Sequence, residues 1–246
     1  MGFFKPAWSL KHNKDGTINW DKLHKAYEAV EKENDQAKLI SIAMKAPLSE
    51  VRIKAVEKLK DESVLIEIAK NDDDSGVRST AIEKVTNQSV LADFAKNDSD
   101  DDVRIIAVEK LTNQSVLTEV AKNDAEYNVR EMAVKKLIDK TVIADIAKHD
   151  DDITVRCVAI ERLTDQSILA DFAKNDSDAG VRCAAVEKLT DQSILADIAL
   201  HDSIEYVRKA AIEKVKDDNV LFNIATTDKD EDVRETAKEQ IKDKSL

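Results

Sequence analysis

Glycine and proline are almost missing from this chain, with 4 Gly and 2 Pro in 246 residues. Flexible linkers and hairpin-rich sheets therefore have little support, and the abundance of Ala, Leu, Lys and Glu favours helix instead. An excess of basic charge is also lacking. The formal charge of −12 and a pI near 4.9 create a field that repels phosphate backbones, so nucleic acid is not an expected partner. No apolar run approaches the ~20 residues needed to span a bilayer, and the N-terminus lacks the basic, apolar, small-residue order of a secretion signal. These two absences point to a cytoplasmic protein without a membrane partner. Gly2 follows Met1 as in a myristoylation site, but Pro6 stands where Ser or Thr is required.

What the chain does contain is a repeat. Val-Arg falls at 51, 77, 103, 129, 155, 181, 207 and 233, an unbroken spacing of 26 residues. A fixed period in this range signals a solenoid, in which each unit contacts its neighbours and the array presents one long surface. The reading is one elongated body without a separate second domain. We number each repeat from its Val as position 1. Apolar residues recur at 1, 5, 6 and 9 and again at 14, 15, 18 and 19, both sets at helical spacing. In the unit that starts at 103 they are Val103, Ala107, Val108 and Leu111, then Val116, Leu117, Val120 and Ala121. Asn113 and its counterpart Asp165 are placed to cap the second helix by accepting a first-turn N–H.

Each unit therefore reads as a helix, a tight turn and a shorter helix. A single unit buries too few large side chains to offset the entropy of ordering its own backbone, so it folds only when stacked. Ala at positions 5 and 19 lets neighbouring helices approach to the ~8–10 Å of close helix packing. Residues 25–50 keep the register in degenerate form, with Ala26 in place of Arg and Ala46 in place of the late Asp. A half repeat starts at 233, where Lys238 occupies a usually apolar position and suits a solvent-facing cap. Residues 1–24 stand outside the array and hold Phe3, Phe4, Trp8 and Trp20. They are expected to cover the exposed end of the first unit, with docking or dimerisation as the alternative.

The motif D-x-D-x-x-V-R-x-x-A, seen as Asp98 to Ala107 and Asp176 to Ala185, resembles HEAT-like repeats. It more closely resembles the short bacterial type called the leucine-rich repeat variant. The resemblance covers residues 25–246. It implies an all-α, right-handed solenoid, a ladder of Asp and Arg along the stack, second helices on the inner face and a protein-binding role. The founding variant-type protein is associated with an N-terminal cysteine cluster for iron and sulfur. This N-terminus has no cysteine, so that cofactor is not expected. Glycosylases and bilin lyases share the HEAT-like fold, but no basic groove or catalytic set matches theirs here.

An Asp at position 22 recurs six residues before each Arg. The couples are Asp72 with Arg78, Asp98 with Arg104, Asp124 with Arg130 and Asp150 with Arg156. They continue as Asp176 with Arg182, Asp202 with Arg208 and Asp228 with Arg234. An Arg fork pairs an Asp and backbone carbonyls at each junction, which makes this a structural ladder. Runs such as Asp98 to Asp102 have calcium-loop character, but a calcium hand needs a 12-residue loop ending in a bidentate Glu, and helix capping explains the acids more simply. Cys157 and Cys183 share position 3 of adjacent repeats, too far apart at a stacking rise near ~9 Å to form a bridge. They should be free thiols. His149 and His201 lie two repeats apart, and His12 and His24 fall outside that series, so no metal cluster is expected. Ser89, Ser115, Ser167 and Ser193 are accounted for by the turn into the second helix.

Positions that vary between repeats are free to carry specificity. Tyr127, Ile153, Ile204 and Tyr206 place large apolar groups on one loop edge, with folding back onto a neighbouring helix as the alternative. On the second helix, Lys70, Lys96, Lys122, Lys148 and Lys174 run beside Asp93, Asp145, Asp171 and Asp197, read as a solvated face with i, i+3 pairs. Leu200 interrupts that stripe and Phe222 replaces the common Ala, so residues 196–224 should be the stickiest part of the face. The expected function is a non-catalytic protein- or peptide-binding scaffold, monomeric and without cofactor. An enzyme or small-ligand binder on the same solenoid, and self-assembly through the N-terminal segment, are the alternatives.

Overall fold

The structure is a computed structural model and describes residues 20–243. Among these, every regular element is a helix. They are α1 Trp20–Lys32, α2 Gln36–Lys45, α3 Ser49–Lys58, α4 Glu62–Asn71, α5 Ser75–Ile82, α6 Gln88–Asn97, α7 Asp101–Lys110 and α8 Gln114–Asn123. They continue with α9 Tyr127–Lys136, α10 Lys140–His149, α11 Ile153–Glu161, α12 Gln166–Asn175, α13 Ala179–Lys188, α14 Gln192–His201, α15 Glu205–Ile212, α16 Asp218–Thr227 and α17 Glu231–Asp243. The chain forms two compact units, residues 1–120 and 121–246, divided inside α8. The expected boundary between residues 24 and 25 falls within α1, where Leu23 and Ala26 are both buried. Phe3, Phe4, Trp8 and His12 lie outside the described residues. No helix among the described residues is long and apolar enough to cross a membrane.

Helical periodicity maps directly onto burial. Val103, Ala107, Val108, Leu111, Leu117, Val120 and Ala121 are all buried, and the same positions are buried from repeat to repeat. Position 14 differs: Val116 and its counterparts are half-exposed, because they sit in the first turn of the second helix. Within each unit the first helices pack closely on one another, α3, α5 and α7 in unit 1 and α9, α11, α13, α15 and α17 in unit 2. Ala81, Ala107, Ala159 and Ala185, fully buried at position 5, allow that approach. The second helices touch only sparsely, as α2 with α4 in unit 1 and α12 with α14 and α14 with α16 in unit 2. They splay apart.

Two expectations about the repeat need correction. Second helices are not the shorter ones: each has 10 residues, whereas α5 and α15 have 8. An Asp or Asn cap at position 11 and an Asp at position 22 fix both ends of the second helix, while first helices end through turns of variable tightness. The tight helical pair also straddles the repeat boundary. The close pairs are α2 with α3, α4 with α5, α6 with α7 and α12 with α13, each a second helix with the next first helix.

So many turns with so little Gly and Pro require another means of satisfying helix ends. Side chains supply it. Asn87, Asp139, Asp165 and Asp191 accept amide N–H groups at the start of second helices, and Asp74, Asp100, Asp152 and Asp178 do so for first helices. At the other end, the Lys at position 8 reaches back to the preceding repeat. Lys110 donates to the Glu83 carbonyl at 2.7 Å and Lys188 to the Glu161 carbonyl at 2.7 Å, placing a cation on the negative end of the neighbouring helix. Gln at position 12 grips the next turn from both sides. Gln166 Nε2 donates to the Lys188 carbonyl at 3.2 Å while its Oε1 accepts from the Thr190 amide at 2.9 Å.

Candidate docking surfaces

The loop edge is built on the Asp–Arg ladder. Each carboxylate partner lies twenty residues after its Arg, at position 22 of the same repeat, and the bond is a bidentate fork. Arg52 holds Asp72 at 2.8 and 2.7 Å, Arg78 holds Asp98 at 2.9 and 2.8 Å, and Arg130 holds Asp150 at 2.8 Å twice. Arg182 with Asp202 and Arg208 with Asp228 repeat the geometry, and Arg156 stands 3.7 Å from Asp176. The couples six residues apart meet differently. Arg78 donates Nη1 to the Asp72 carbonyl at 3.2 Å, Arg104 to that of Asp98 at 2.9 Å and Arg234 to that of Asp228 at 2.8 Å.

Arg52, missed as a ladder member in the sequence, forms a full rung although its upstream partner is Ala46, because only the carbonyl of that residue is needed. Hydrogen bonds donated to the paired Asp raise the basicity of Arg52, Arg78, Arg130 and Arg182. Burial pushes the Asp202 and Asp228 carboxyls up, but their Arg partners and a backbone N–H outweigh it and leave both below the ordinary carboxylate value. The position-22 carboxylates also accept the amide two residues on, as Asp150 does from Asp152 at 2.9 Å. The Asp residues at position 22 and the capping Asp residues at position 24 are thus committed to rungs, turns and caps. Among the described residues, no group of three or more His, Cys, Asp or Glu is arranged to hold a metal.

On this scaffold the variable residues separate. Tyr127, Ile153 and Tyr206 are exposed at 48%, 38% and 46%, whereas Ile204 is half-buried. The Ile153 side chain leans toward Gly180, whose added Cβ would lie 3.3 Å from its Cδ1, so the fold-back reading holds for part of that residue. Tyr127 is the first residue of α9 and Tyr206 the second of α15. At these helices the capping Asp has been replaced by Glu126 and Ile204, and neither makes a side-chain cap bond.

The second-helix face is tied between repeats, not by i, i+3 pairs. Lys at position 20 reaches the acid at position 17 of the next repeat: Lys96 to Glu119 at 3.3 Å, Lys122 to Asp145 at 2.6 Å and Lys174 to Asp197 at 2.8 Å. A helix surface offers i, i+3 neighbours, but the splayed helices bring these longer-range groups into register instead. His149 and His201 add a bond of 3.0 Å each to Asp145 and Asp197. Lysine pairing first, against the cost of burial, holds both carboxyls below their usual value.

The pairing stops at α14. Leu200 replaces the Lys, Asn223 the acid and Thr226 the next Lys, and the hydroxyls of Thr226 and Thr227 turn back onto Asn223. Phe222 is 66% exposed on this neutral stretch, while half-buried Leu200 lines an open cleft of about 240 Å³ with His201, Ile224 and Thr227. A related cleft of about 360 Å³ opens between α10 and α12 beside His149 and Phe172.

Cys157 and Cys183 are free, half-buried thiols, raised above the ordinary thiol value chiefly by burial. Ser89, Ser167 and Ser193 donate their hydroxyls to the capping Asn or Asp, as turn residues do. The recurrent Glu-Lys at positions 7 and 8 was the sequence signal for the carbonyl-capping lysines, which period and polarity alone did not reveal.

No protein-family model and no curated protein matches the chain. Among solved structures, the X-ray structure of the Escherichia coli protein YibA is 17% identical, covering 95% of this chain and 98% of that one, with a TM-score of 0.47. A leucine-rich repeat variant, described as having a novel repetitive structural motif, is 23% identical. It covers 84% of this chain and 82% of its own, with a TM-score of 0.69. The likeness is one of fold: the chain is an all-α repeat solenoid built like a leucine-rich repeat variant.

Proposed function

We propose that this protein is a non-catalytic scaffold that docks a protein or peptide on the surface of unit 2. One observation carries the reading. Of the six large apolar side chains exposed among the described residues, only Met44 lies in unit 1; Tyr127, Ile138, Ile153, Tyr206 and Phe222 lie in unit 2. The core positions are filled alike in both units, so this difference belongs to the surface and not to folding. Exposed aromatics on rigid helix ends make contact area at low entropic cost, as interface anchors do. A bacterial cytoplasmic setting is part of the proposal and accords with two unpaired thiols.

The test is affinity capture from source lysate. Wild type is compared with a Tyr127→Ser, Ile153→Ser, Tyr206→Ser variant and with Phe222→Ser, each checked for fold by circular dichroism. Partners lost from a folded variant support the reading and assign the face. Capture of the same proteins by all three chains, or of none by wild type, contradicts it.

A further inference from the structure

The edge of unit 2 has a composition that selects its ligand. Residues 125–128, 151–154, 177–180 and 203–206 contain Glu126, Asp151, Asp152, Asp178 and Glu205 but no Lys or Arg. The ladder arginines behind them are engaged in rungs. Glu-Tyr occurs twice, as Glu126-Tyr127 and Glu205-Tyr206, each time at a first helix that has given up its side-chain cap. A carboxylate beside an exposed phenol ring suits a lysine or arginine, whose charge meets the acid and whose stem or cation lies on the ring. At α9 the Asn128 side chain accepts the Val129 amide at 2.9 Å in place of the usual cap, whereas the Ile204 cap position of α15 offers no such bond, and a local rule broken without compensation marks a site kept for another purpose.

The spacing is as informative as the chemistry. Tyr206 comes three repeats and one residue after Tyr127, at position 26 where Tyr127 is at position 25, and Ile153 comes one repeat after Tyr127. At ~8–10 Å per stacked repeat, the two Glu-Tyr sites are roughly 24–30 Å apart, which an extended chain crosses in about eight or nine residues. The chain itself contains such a segment. Residues 1–19 carry Lys5, Lys11 and Lys14 against one acid, Asp15; Lys14 is nine residues after Lys5, and Trp8 is three residues after it. We propose that residues 1–19 of a second copy of this chain dock along the edge of unit 2. Lys5 sits at Glu126 and Tyr127, Trp8 over Ile153, and Lys14 at Glu205 and Tyr206. Supply by a second copy places no demand on the reach of the five residues between Lys14 and Trp20. This assignment rests on the peptide-binding reading above and names its occupant.

Two full-length variants test it: Glu126→Gln, Tyr127→Ser, Glu205→Gln, Tyr206→Ser, which keeps the segment and loses the edge, and Lys5→Gln, Lys14→Gln, which keeps the edge and loses the charge. Circular dichroism establishes that both fold. In sedimentation velocity at low salt, wild type should associate reversibly as concentration rises, and each variant alone should stay monomeric. The Lys5→Gln, Lys14→Gln chain, whose edge is intact, should bind a labelled peptide of residues 1–19 at least about tenfold more tightly than the edge variant does. An equimolar mixture of the two variants should recover dimers, because one supplies the segment and the other the edge. A monomeric wild type, unchanged association in either variant, or a mixture that stays monomeric overturns the proposal. If wild type is monomeric yet captures a foreign protein through Tyr127 and Tyr206, the occupant is wrong and the peptide-binding reading stands. If capture also fails, both fall.

Discussion

Arg182 and Asp202 are twenty residues apart in sequence, yet Nε and Nη2 of the arginine hold the two carboxylate oxygens at 2.8 and 2.9 Å, with the guanidinium group almost fully buried. A buried fork of this kind costs little while intact and much when halved, because the remaining charge has no water to return to. Asp202→Ala should therefore lower stability by about 3–5 kcal/mol, read as a shift in urea midpoint. Asp73 also touches an arginine, Arg52 at 3.0 Å, but its side chain is 96% exposed, and Asp73→Ala should leave the midpoint unchanged.

Acid should unfold the array through the same rungs. The Asp202 and Asp228 carboxyls lie below their ordinary value in the folded chain. Their stabilisation is present above the unfolded value near ~3.9 and is lost as pH falls through the depressed folded values. The arginines, whose folded values are raised, contribute fully below their unfolded value and so add no loss in this window. A urea-midpoint profile between neutral pH and pH 2 should be flat at first and fall below about pH 4. A midpoint that rises on acidification contradicts the rung account.

The glutamine staple gives a neutral comparison. Gln166→Ala removes three bonds to the following repeat, one to the Lys188 carbonyl and two from Thr190, and should cost about 1–2 kcal/mol. Amide exchange should speed up around Leu189 and Thr190 first, since that turn loses its partner.

Capping makes a prediction of opposite sign. Asp152→Ala removes bonds to the amides of Thr154 and Val155 and should cost about 1 kcal/mol. Glu126→Asp restores the usual residue at α9 and should add about 0.5–1 kcal/mol. A gain in stability accompanied by weaker docking would mark Glu126 as a residue kept for binding.

Both thiols are raised by burial first, then by nearby carboxylates, with Arg156 opposing at Cys157 alone. Alkylation by iodoacetamide near neutral pH should thus be slower than for a cysteine in an unfolded peptide, and should speed up when urea unfolds the chain.

The 26-residue period, two helices per repeat and the buried positions 1, 5, 6, 9, 15, 18 and 19 were legible in the sequence, because each follows from one helix facing one core. Side-chain pairings from one helix to another, within a repeat or across its boundary, were not. Asp72 lies nearer Arg78 in sequence, yet its carboxylate belongs to Arg52 and only its carbonyl to Arg78. Lys122 similarly passes over its own helix to reach Asp145. Such contacts depend on how the helices pack in three dimensions, which the periodicity of one helix does not encode. Of the candidate anchors, Tyr127, Ile153, Tyr206 and Phe222 are exposed, while Leu200 and Ile204 are half-covered by their surroundings, because position 20 borders the cleft and position 24 faces the ladder.

The central claim is that the surface of unit 2 is a docking face, and site-specific photo-cross-linking tests it most directly. A benzophenone amino acid is placed at Tyr127, Tyr206 or Phe222 in the full chain, with the still more exposed Asp73 as the control in unit 1, and each protein is irradiated in source lysate. The account predicts discrete adducts at one or more of the three unit 2 positions and none at Asp73. Adducts no stronger at Tyr127, Tyr206 and Phe222 than at Asp73 would contradict it.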